Sequence, residues 1–214
     1  MITHARRTLC AIALAALVAA CAAPGRIVAE PPSLAACRTT VDPAGSVPDQ
    51  QIRWIRPESS DERATLDDWC RSVGPAVAAS GIPVSAAPVA LADLVVISWN
   101  VNIGAGDVTS LVDSLRDGSL TGQPVTRFVL LLQEAYRRGP AVPRGPLTGG
   151  RSASARQPRV TGRERIDIVE AAGRLGLSLV YVPSMRNGSD IDEDRGNAIL
   201  STEPLSDVAA VELP

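Results

Sequence analysis

The sequence predicts an α/β domain with an aliphatic core. Short β-branched runs, such as residues 94–99, alternate with segments whose apolar residues recur at helical spacing, such as residues 107–116. Hydrophobic residues make up 45% of the chain but aromatic residues only 3%, so Val, Leu, Ile and Ala must fill the interior. Strands alternating with helices are typical of α/β proteins.

Residues 1–20 have the features of an export signal. Arg6 and Arg7 precede an apolar run over residues 9–18 that is shorter than a membrane span. Small residues then lead to Cys21, which resembles the lipobox of bacterial lipoproteins and implies cleavage before a lipidated Cys21. An exported lipoprotein anchored to a membrane, facing the periplasm or the cell exterior, is therefore expected. An ordinary signal peptide is the alternative, and both the general and the twin-arginine export routes stay open.

Residues 21–93 are predicted to form a tether with one short helix. Residues 22–50 are rich in Ala, Pro and Ser and lack periodicity. A helical pattern starts at Ser60, the expected cap, and continues to Val77. Residues 81–93 are predicted to be a second linker, so the folded domain is expected over residues 94–214.

The cysteines of the exported chain suggest a disulfide. If Cys21 is lipidated, Cys37 and Cys70 remain as an even pair. An oxidising periplasm would favour a bond between them, and two separate thiols are the alternative. No zinc site is expected, because the spacings are long and the only histidine, His4, lies in the export signal.

The predicted domain contains five strands and two helices. The strands are expected over residues 94–99, 128–132, 177–182, 197–201 and 208–213, and the helices over residues 107–116 and 163–175. Gly176 is the expected stop of the second helix. Residues 137–162, rich in Arg, Pro, Gly and Ser, are predicted to be a long loop.

Polar side chains follow the first two of these strands. Asn100 ends the first strand, and Glu134 follows five apolar residues and Gln133 at the end of the second. Ligands of α/β sheets gather at the carboxyl ends of strands, and a carboxylate beside a core needs a cation or a donor. Mg²⁺ suits an oxygen ligand of this type. Taken alone, each residue is more often structural, as a strand end or a turn.

The order of the motifs resembles the endonuclease/exonuclease/phosphatase family of Mg²⁺-dependent phosphoesterases. A strand ending in Trp99-Asn100 precedes one ending in Gln133-Glu134, and Tyr181 and the Arg-Gly-Asn-Ala-Ile-Leu-Ser stretch of residues 195–201 follow. The resemblance implies a two-sheet α/β sandwich, of which residues 94–214 would supply the first half. Half of such a sandwich would leave an aliphatic sheet face exposed.

The resemblance also implies roles for four residues. Glu134 would be a direct ligand of Mg²⁺, with Mn²⁺ as the alternative ion, and Asn100 would orient the phosphate or the metal shell. Asn197 would face a substrate oxygen, with a turn residue as the alternative. Tyr181 would contact substrate, with a packing residue as the alternative.

Two motifs that complete the family's site do not occur in the sequence, an Asp-Asn pair and a final Asp-His pair. Asp190, Asp192, Glu193 and Asp194 have the wrong spacing for these roles and are expected to form a solvated loop. Little turnover is therefore expected from these 214 residues alone.

The span from Arg137 to Arg165 contains eight arginines and one acid, Glu164. Because Arg binds phosphate bidentately, this span is either a phosphate-gathering flap or a solvated insert. The net charge of −2 argues against a wholly basic nucleic-acid binder.

The leading hypothesis is a lipid-anchored phosphoesterase acting on nucleic acid, phospholipid headgroups or inositol phosphates. The alternatives are a non-catalytic, membrane-anchored lipoprotein that binds phosphate-containing ligands or a protein partner, and a truncated remnant.

Substitution of Cys21 tests the export prediction. In a bacterium that processes lipoproteins, the wild-type chain is expected in the membrane fraction with the added mass of a diacylglycerol. Cys21→Ser should remove both properties, whereas Cys10→Ser, within the apolar run, should change neither. Membrane retention of the Cys21→Ser protein with the same added mass would contradict the prediction.

Overall fold

The computed structural model describes residues 27–29, 39–41, 52–81, 90–143, 164–187 and 192–211. The predicted signal peptide, Cys21, and residues 144–163 of the Arg-rich span lie outside these ranges. No helix within them is long and apolar enough to span a membrane. Their strands are β1 (Ile27–Ala29), β2 (Thr39–Val41), β3 (Arg53–Pro57), β4 (Ala76–Ala79), β5 (Val95–Asn100), β6 (Phe128–Arg138), β7 (Ser178–Arg186), β8 (Glu193–Ser201) and β9 (Ala209–Val211).

The described strands form two sheets, accompanied by three α-helices. The larger sheet has six strands in the order β2-β4-β7-β8-β6-β5, and the smaller has the order β1-β3-β9. The helices are α1 (Ser60–Ser72), α2 (Val108–Arg116) and α3 (Ile168–Leu175), and a 3-10 turn covers Leu91–Asp93. The predicted α/β class is confirmed.

The large sheet is mixed. β5 and β6 are parallel and are connected through α2, whereas β8 is antiparallel to both β6 and β7. β4 joins β7 antiparallel, and β2 joins β4 parallel. At the ends of β5 and β6, two neighbouring parallel strands thus finish side by side after a helical crossover.

The two faces of the large sheet differ in their covering. On the face that we call the helix face, α2 and α3 pack on strand residues such as Phe128, Leu132 and Leu200. On the opposite face, which we call the open face, α1 covers Ala78 and Val180 on strands β4 and β7. The remainder of the open face, towards β5, is exposed.

Part of the exposed open face is aliphatic. Val96 of β5 is 58% exposed and Leu131 of β6 is 36% exposed. They alternate with Ile97 and Leu132, whose side chains pack in the helix-face core. Two aliphatic side chains, one on β5 and one on β6, are therefore exposed on the open face.

Side chains of aspartate and serine start the helices. Asp107 and Asp167 accept hydrogen bonds from the first-turn amides of α2 and α3, and Gly176 ends α3 with φ +65°. α3 starts at residue 168 rather than 163, because Asp167 caps it. The cap of α1 is Ser59, one residue before the predicted Ser60.

The predicted tether over residues 21–93 contains, besides its one predicted helix, strands that belong to the sheets. The helix is α1, whereas the strands, β3 and β4 among them, were not predicted. Residues 76–79, expected partly as helix, form β4, whose Val77 lies opposite Tyr181 of β7. Leu66 and Trp69 of α1 are buried against the sheet. Alternating burial on the two sheet faces therefore outweighs the helical spacing that continues to residue 77.

Two predicted loops are wrong at their ends. Arg137 and Arg138, expected in a loop over residues 137–162, extend β6, and Glu193 and Asp194 open β8 instead of lying in a solvated loop. Asp194 is fully buried. The cause is cross-strand pairing, because Arg137 stands opposite Asp194 and Arg138 opposite Glu193. Asp190 lies outside the described residues.

Cys70, in α1, is disulfide-bonded. Its predicted partner Cys37 lies outside the described residues, so the pairing of these two cysteines stays a prediction.

Gly196 of β8 has no room for a side chain. A Cβ there would lie 2.6 Å from the Cα of Pro183 and would overlap the carbonyl of Val182, both on the neighbouring strand β7. We expect Gly196→Ala to destabilise the protein by about 2–3 kcal/mol in urea unfolding, because backbone must move. Gly173→Ala in α3, where nothing lies within 4 Å, should instead stabilise it by about 0.5–1 kcal/mol. Equal effects of the two substitutions would contradict the close approach of β7 and β8.

Candidate functional site

Asn100 and Glu134 lie at the ends of neighbouring parallel strands. Asn100 is the last residue of β5 and stands opposite Gln133, the residue before Glu134. Adjacent strands are separated by about 4.8 Å, so the backbones of the two predicted site residues are close. The exposed Asn100 side chain and the half-buried Glu134 side chain are both accessible.

A β-bulge in β6 determines the environment of Glu134. Leu132 pairs with Ala198 and Ala135 with Gly196, so the register shifts by one residue between them. Leu132 and Ala135 both belong to the helix-face core. The extra residue leaves Gln133 and Glu134 together opposite Asn197 of β8, away from that core.

Asn197 completes a row of polar residues across three strands. It is exposed, whereas its neighbours Gly196 and Ala198 are buried. We call Asn100, Glu134 and Asn197 the polar row. Its residues lie on β5, β6 and β8, three consecutive strands, and span about two strand spacings, or roughly 10 Å.

The loop after β5 is strained and is attached to the bulge. Asn102, Ile103 and Gly104 all have positive φ angles, of 50°, 56° and 74°, and Glu134 has φ 54°. A β-branched residue such as Ile103 adopts this conformation rarely, and strain of this kind gathers at functional sites. The Gly104 amide donates to the Glu134 carbonyl at 3.2 Å. This hydrogen bond thus connects the loop after β5 to the bulge in β6.

The side chain of Asn100 has one defined orientation. Its Oδ1 accepts the backbone N–H of Asn102 at 2.9 Å. Because the Asn102 N–H can only be bonded by the side-chain oxygen, the Asn100 Nδ2 amino group points away from the loop. No described residue accepts a hydrogen bond from Nδ2. Asn100 therefore offers a hydrogen-bond donor to a ligand, and its oxygen is already used by the loop.

The carboxylate of Glu134 has no hydrogen bond or ion pair with any described residue. Nearby acids do have partners: Glu193 accepts from Tyr136 and Arg165, at 2.9 and 2.8 Å, and Asp167 accepts from backbone amides. Among the described residues, no group of three His, Cys, Asp or Glu side chains occurs that could hold a metal ion without other ligands. Glu134 is thus a carboxylate that is uncommitted among the described residues, at the carboxyl ends of β5 and β6, which we call the rim.

Tyr181 lies away from the polar row. Its side chain is fully buried in the helix-face core, and its hydroxyl donates to Asp194 Oδ1 at 2.8 Å. No atom of Tyr181 is accessible to a substrate in this structure. The side chain packs in the core, which was the alternative to substrate contact. The reason is that β7 turns residue 181 towards α3, on the face opposite Asn197.

Tyr181 belongs to a buried charge network around Arg137. The Arg137 guanidinium binds both carboxylate oxygens of Asp194, at 3.0 and 2.5 Å, and lies 4.9 Å from the centre of the Tyr181 ring. It also donates to the carbonyl of Pro75, and the amide of Gly74 donates to Asp194 at 3.0 Å. The network connects β6, β7, β8 and the turn before β4.

A charged cleft of about 420 Å³ lies just beyond the polar row, beside Tyr136, the second residue after Glu134. Arg138, Glu164, Arg165, Asp167 and Glu170 line the rest of it. Sequence reasoning missed this cleft. The only hint was that Glu164 is the sole acid in the Arg-rich span.

Comparison with known proteins adds no relative: no family model, no curated protein and no solved structure matches this chain.

Both tyrosines of the chain, Tyr136 and Tyr181, carry perturbed phenols. Burial raises the pKa of Tyr136 well above its ordinary value, and the hydrogen bond to Glu193 raises it further. For Tyr181, burial and then the charge of Asp194 raise the pKa in the same direction.

We therefore expect no tyrosinate absorbance from the folded protein near pH 10, the ordinary phenol pKa. Raised folded-state pKa values favour the folded form fully below about pH 10, and this stabilisation is lost as the pH rises towards those values. Tyrosinate should appear together with the loss of far-ultraviolet circular dichroism. A separate ionisation of a phenol in folded protein at pH 10 would contradict the burial of that ring.

Proposed function

We propose that this protein is a metal-dependent phosphoesterase of the endonuclease/exonuclease/phosphatase type, acting at the polar row. The observation that carries the proposal is the uncommitted carboxylate of Glu134, held in a strained bulge between Asn100 and Asn197. An acid at the end of a strand that has no partner among the described residues is suited to bind a cation or a ligand donor.

The side-chain oxygens at the rim could supply part of the coordination shell of Mg²⁺. Mg²⁺ is commonly held by one or two carboxylates, with water and substrate phosphate oxygens filling the other positions. Glu134 would be the protein ligand, and the exposed Asn197 is the second side chain that could reach the ion or a phosphate oxygen. A bound Mg²⁺ would supply Lewis-acid polarisation of the phosphate.

The residues of the chain would orient the ester. Asn100 presents Nδ2 as a donor because its oxygen is fixed by Asn102, so a phosphate oxygen, and not a cation, is its natural partner. The implied role of Asn100 in orienting the phosphate is thereby favoured over a role as a metal ligand. Asn197, exposed on the next strand but one, would contact the opposite side of the same group.

A second candidate function is phosphate binding without turnover. It is favoured because the polar row itself contains one acid, Glu134, and two asparagines, whereas a further acid or a histidine is the kind of group that activates water. A lipid-anchored binding protein would need only the polar row. The two candidates share the site and differ in whether product forms.

Assays with and without Mg²⁺ separate the two functions. The chain would be incubated with plasmid DNA, inositol phosphates, phospholipid vesicles and bis-nitrophenyl phosphate, with EDTA as the metal-free control. Product formed only with Mg²⁺ supports the phosphoesterase. Binding of a phosphate compound without product supports the binding protein, and neither binding nor product contradicts both.

Glu134→Gln tests the metal ligand while preserving shape. We expect Mg²⁺ at ten times its dissociation constant to stabilise the wild-type protein by about 1.4 kcal/mol and the variant not at all. Glu170→Gln, an exposed acid of the neighbouring cleft, is the matched control and should keep the full effect. Thermal unfolding measures the difference. Equal stabilisation of all three proteins by Mg²⁺ would remove Glu134 from the site.

A further inference from the structure

The bulge in β6 decides on which side of the sheet Glu134 lies. Strand residues alternate between faces, so a strand without the extra residue would carry Glu134 into the helix-face core, on the same side as Leu132. Ala135 and Arg137 would then point the other way. The observed register, with Ala135 opposite Gly196 and Arg137 opposite Asp194, excludes that arrangement.

The shifted register requires contacts that offset the strain of the bulge. Glu134 has φ 54°, which costs free energy for a residue other than glycine. Beyond the bulge, the side chain of Arg137 is 6% exposed and that of Asp194 is fully buried, and they form a bidentate ion pair. A shift by one residue would separate these two charges in the interior.

Other groups commit the same pair to this register. Gly74 and Tyr181 both donate to Asp194, and Pro75 accepts from Arg137. A buried ion pair adds little net stability, whereas an arrangement that separates its two charges in the interior is strongly disfavoured. The network therefore distinguishes the bulged register from the regular one.

We infer that Arg137 and Asp194 are positioning residues for Glu134: their buried ion pair fixes the shifted register that keeps the Glu134 carboxylate on the rim. Its effect on metal binding rests on the proposed function, whereas its effect on the bulge does not. Arg137 lies three residues beyond Glu134 on β6 and acts through the strand, without touching the ligand.

The test separates register from stability. In the triple variant Arg137→Met, Asp194→Leu, Tyr181→Phe, apolar groups of similar size replace the network, a change that often preserves or raises stability. The matched control is Arg127→Met, Glu203→Leu. This ion pair, at 3.0 Å, joins residues next to the other end of the β6–β8 ladder, before the bulge.

Two readouts are measured on the full chain. One is the affinity for Mn²⁺, followed by its paramagnetic resonance, and the other is the amide exchange rate of Gly104, whose N–H is bonded to the Glu134 carbonyl. In the triple variant we expect Mn²⁺ affinity to fall by about 10- to 100-fold, as for other changes behind a metal ligand, and Gly104 exchange to accelerate. The control should change neither.

Each outcome decides the inference. A folded triple variant that retains Gly104 protection overturns it. If the triple variant does not fold, Arg137→Lys, which keeps the charge and loses the bidentate fork, is measured instead, and wild-type Gly104 exchange in that protein overturns it. If wild-type protein binds no Mn²⁺ while Gly104 exchange responds as expected, the register inference stands and the metal site of the proposed function fails.

Discussion

The ion pair between Arg137 and Asp194 joins β6 to β8, next to β7, in the interior of the large sheet. Both side chains are almost completely withdrawn from water, and removing one partner would leave a buried, unbalanced charge. The carboxylate is also bound by Tyr181 and by the amide of Gly74, which precedes β4. One network therefore joins the turn before β4 to β6 and also to β8, whose Asp194 is 120 residues from Gly74.

The polar row is a consequence of that alignment. The bulge before Ala135 turns Glu134 away from the helix-face core, and the loop after β5 is bonded to the bulge through Gly104. Only glycine fits at position 104, because a Cβ there would lie 2.5 Å from the Cβ of Tyr136. The strained loop and the strained bulge are thus adjacent, and tertiary contacts stabilise the backbone conformations of both.

The acids of this region divide into committed and uncommitted groups. Asp194 and Glu193 neutralise arginines, and Asp167 caps α3 while binding the amide of Arg138. Glu134, at the end of the parallel pair, has no such partner among the described residues. That contrast is the physical basis for placing a cation or phosphate ligand at the polar row, and it separates a carboxylate available for chemistry from those that hold the fold.

The local sequence pattern determined the fold class and several of the secondary-structure elements of this protein. The β-branched run of β5, the cap Asp107 and the stop Gly176 follow from side-chain shape and backbone preference, so the α/β class and the neighbouring positions of Asn100 and Glu134 could be predicted from the sequence. Pairing between distant residues was decided only by the tertiary structure. No sequence pattern shows that Asp194 meets Arg137, that residues 76–79 join the sheet or that Tyr181 faces inward. Such contacts depend on register, which is set when the whole sheet assembles and each buried charge must find its partner.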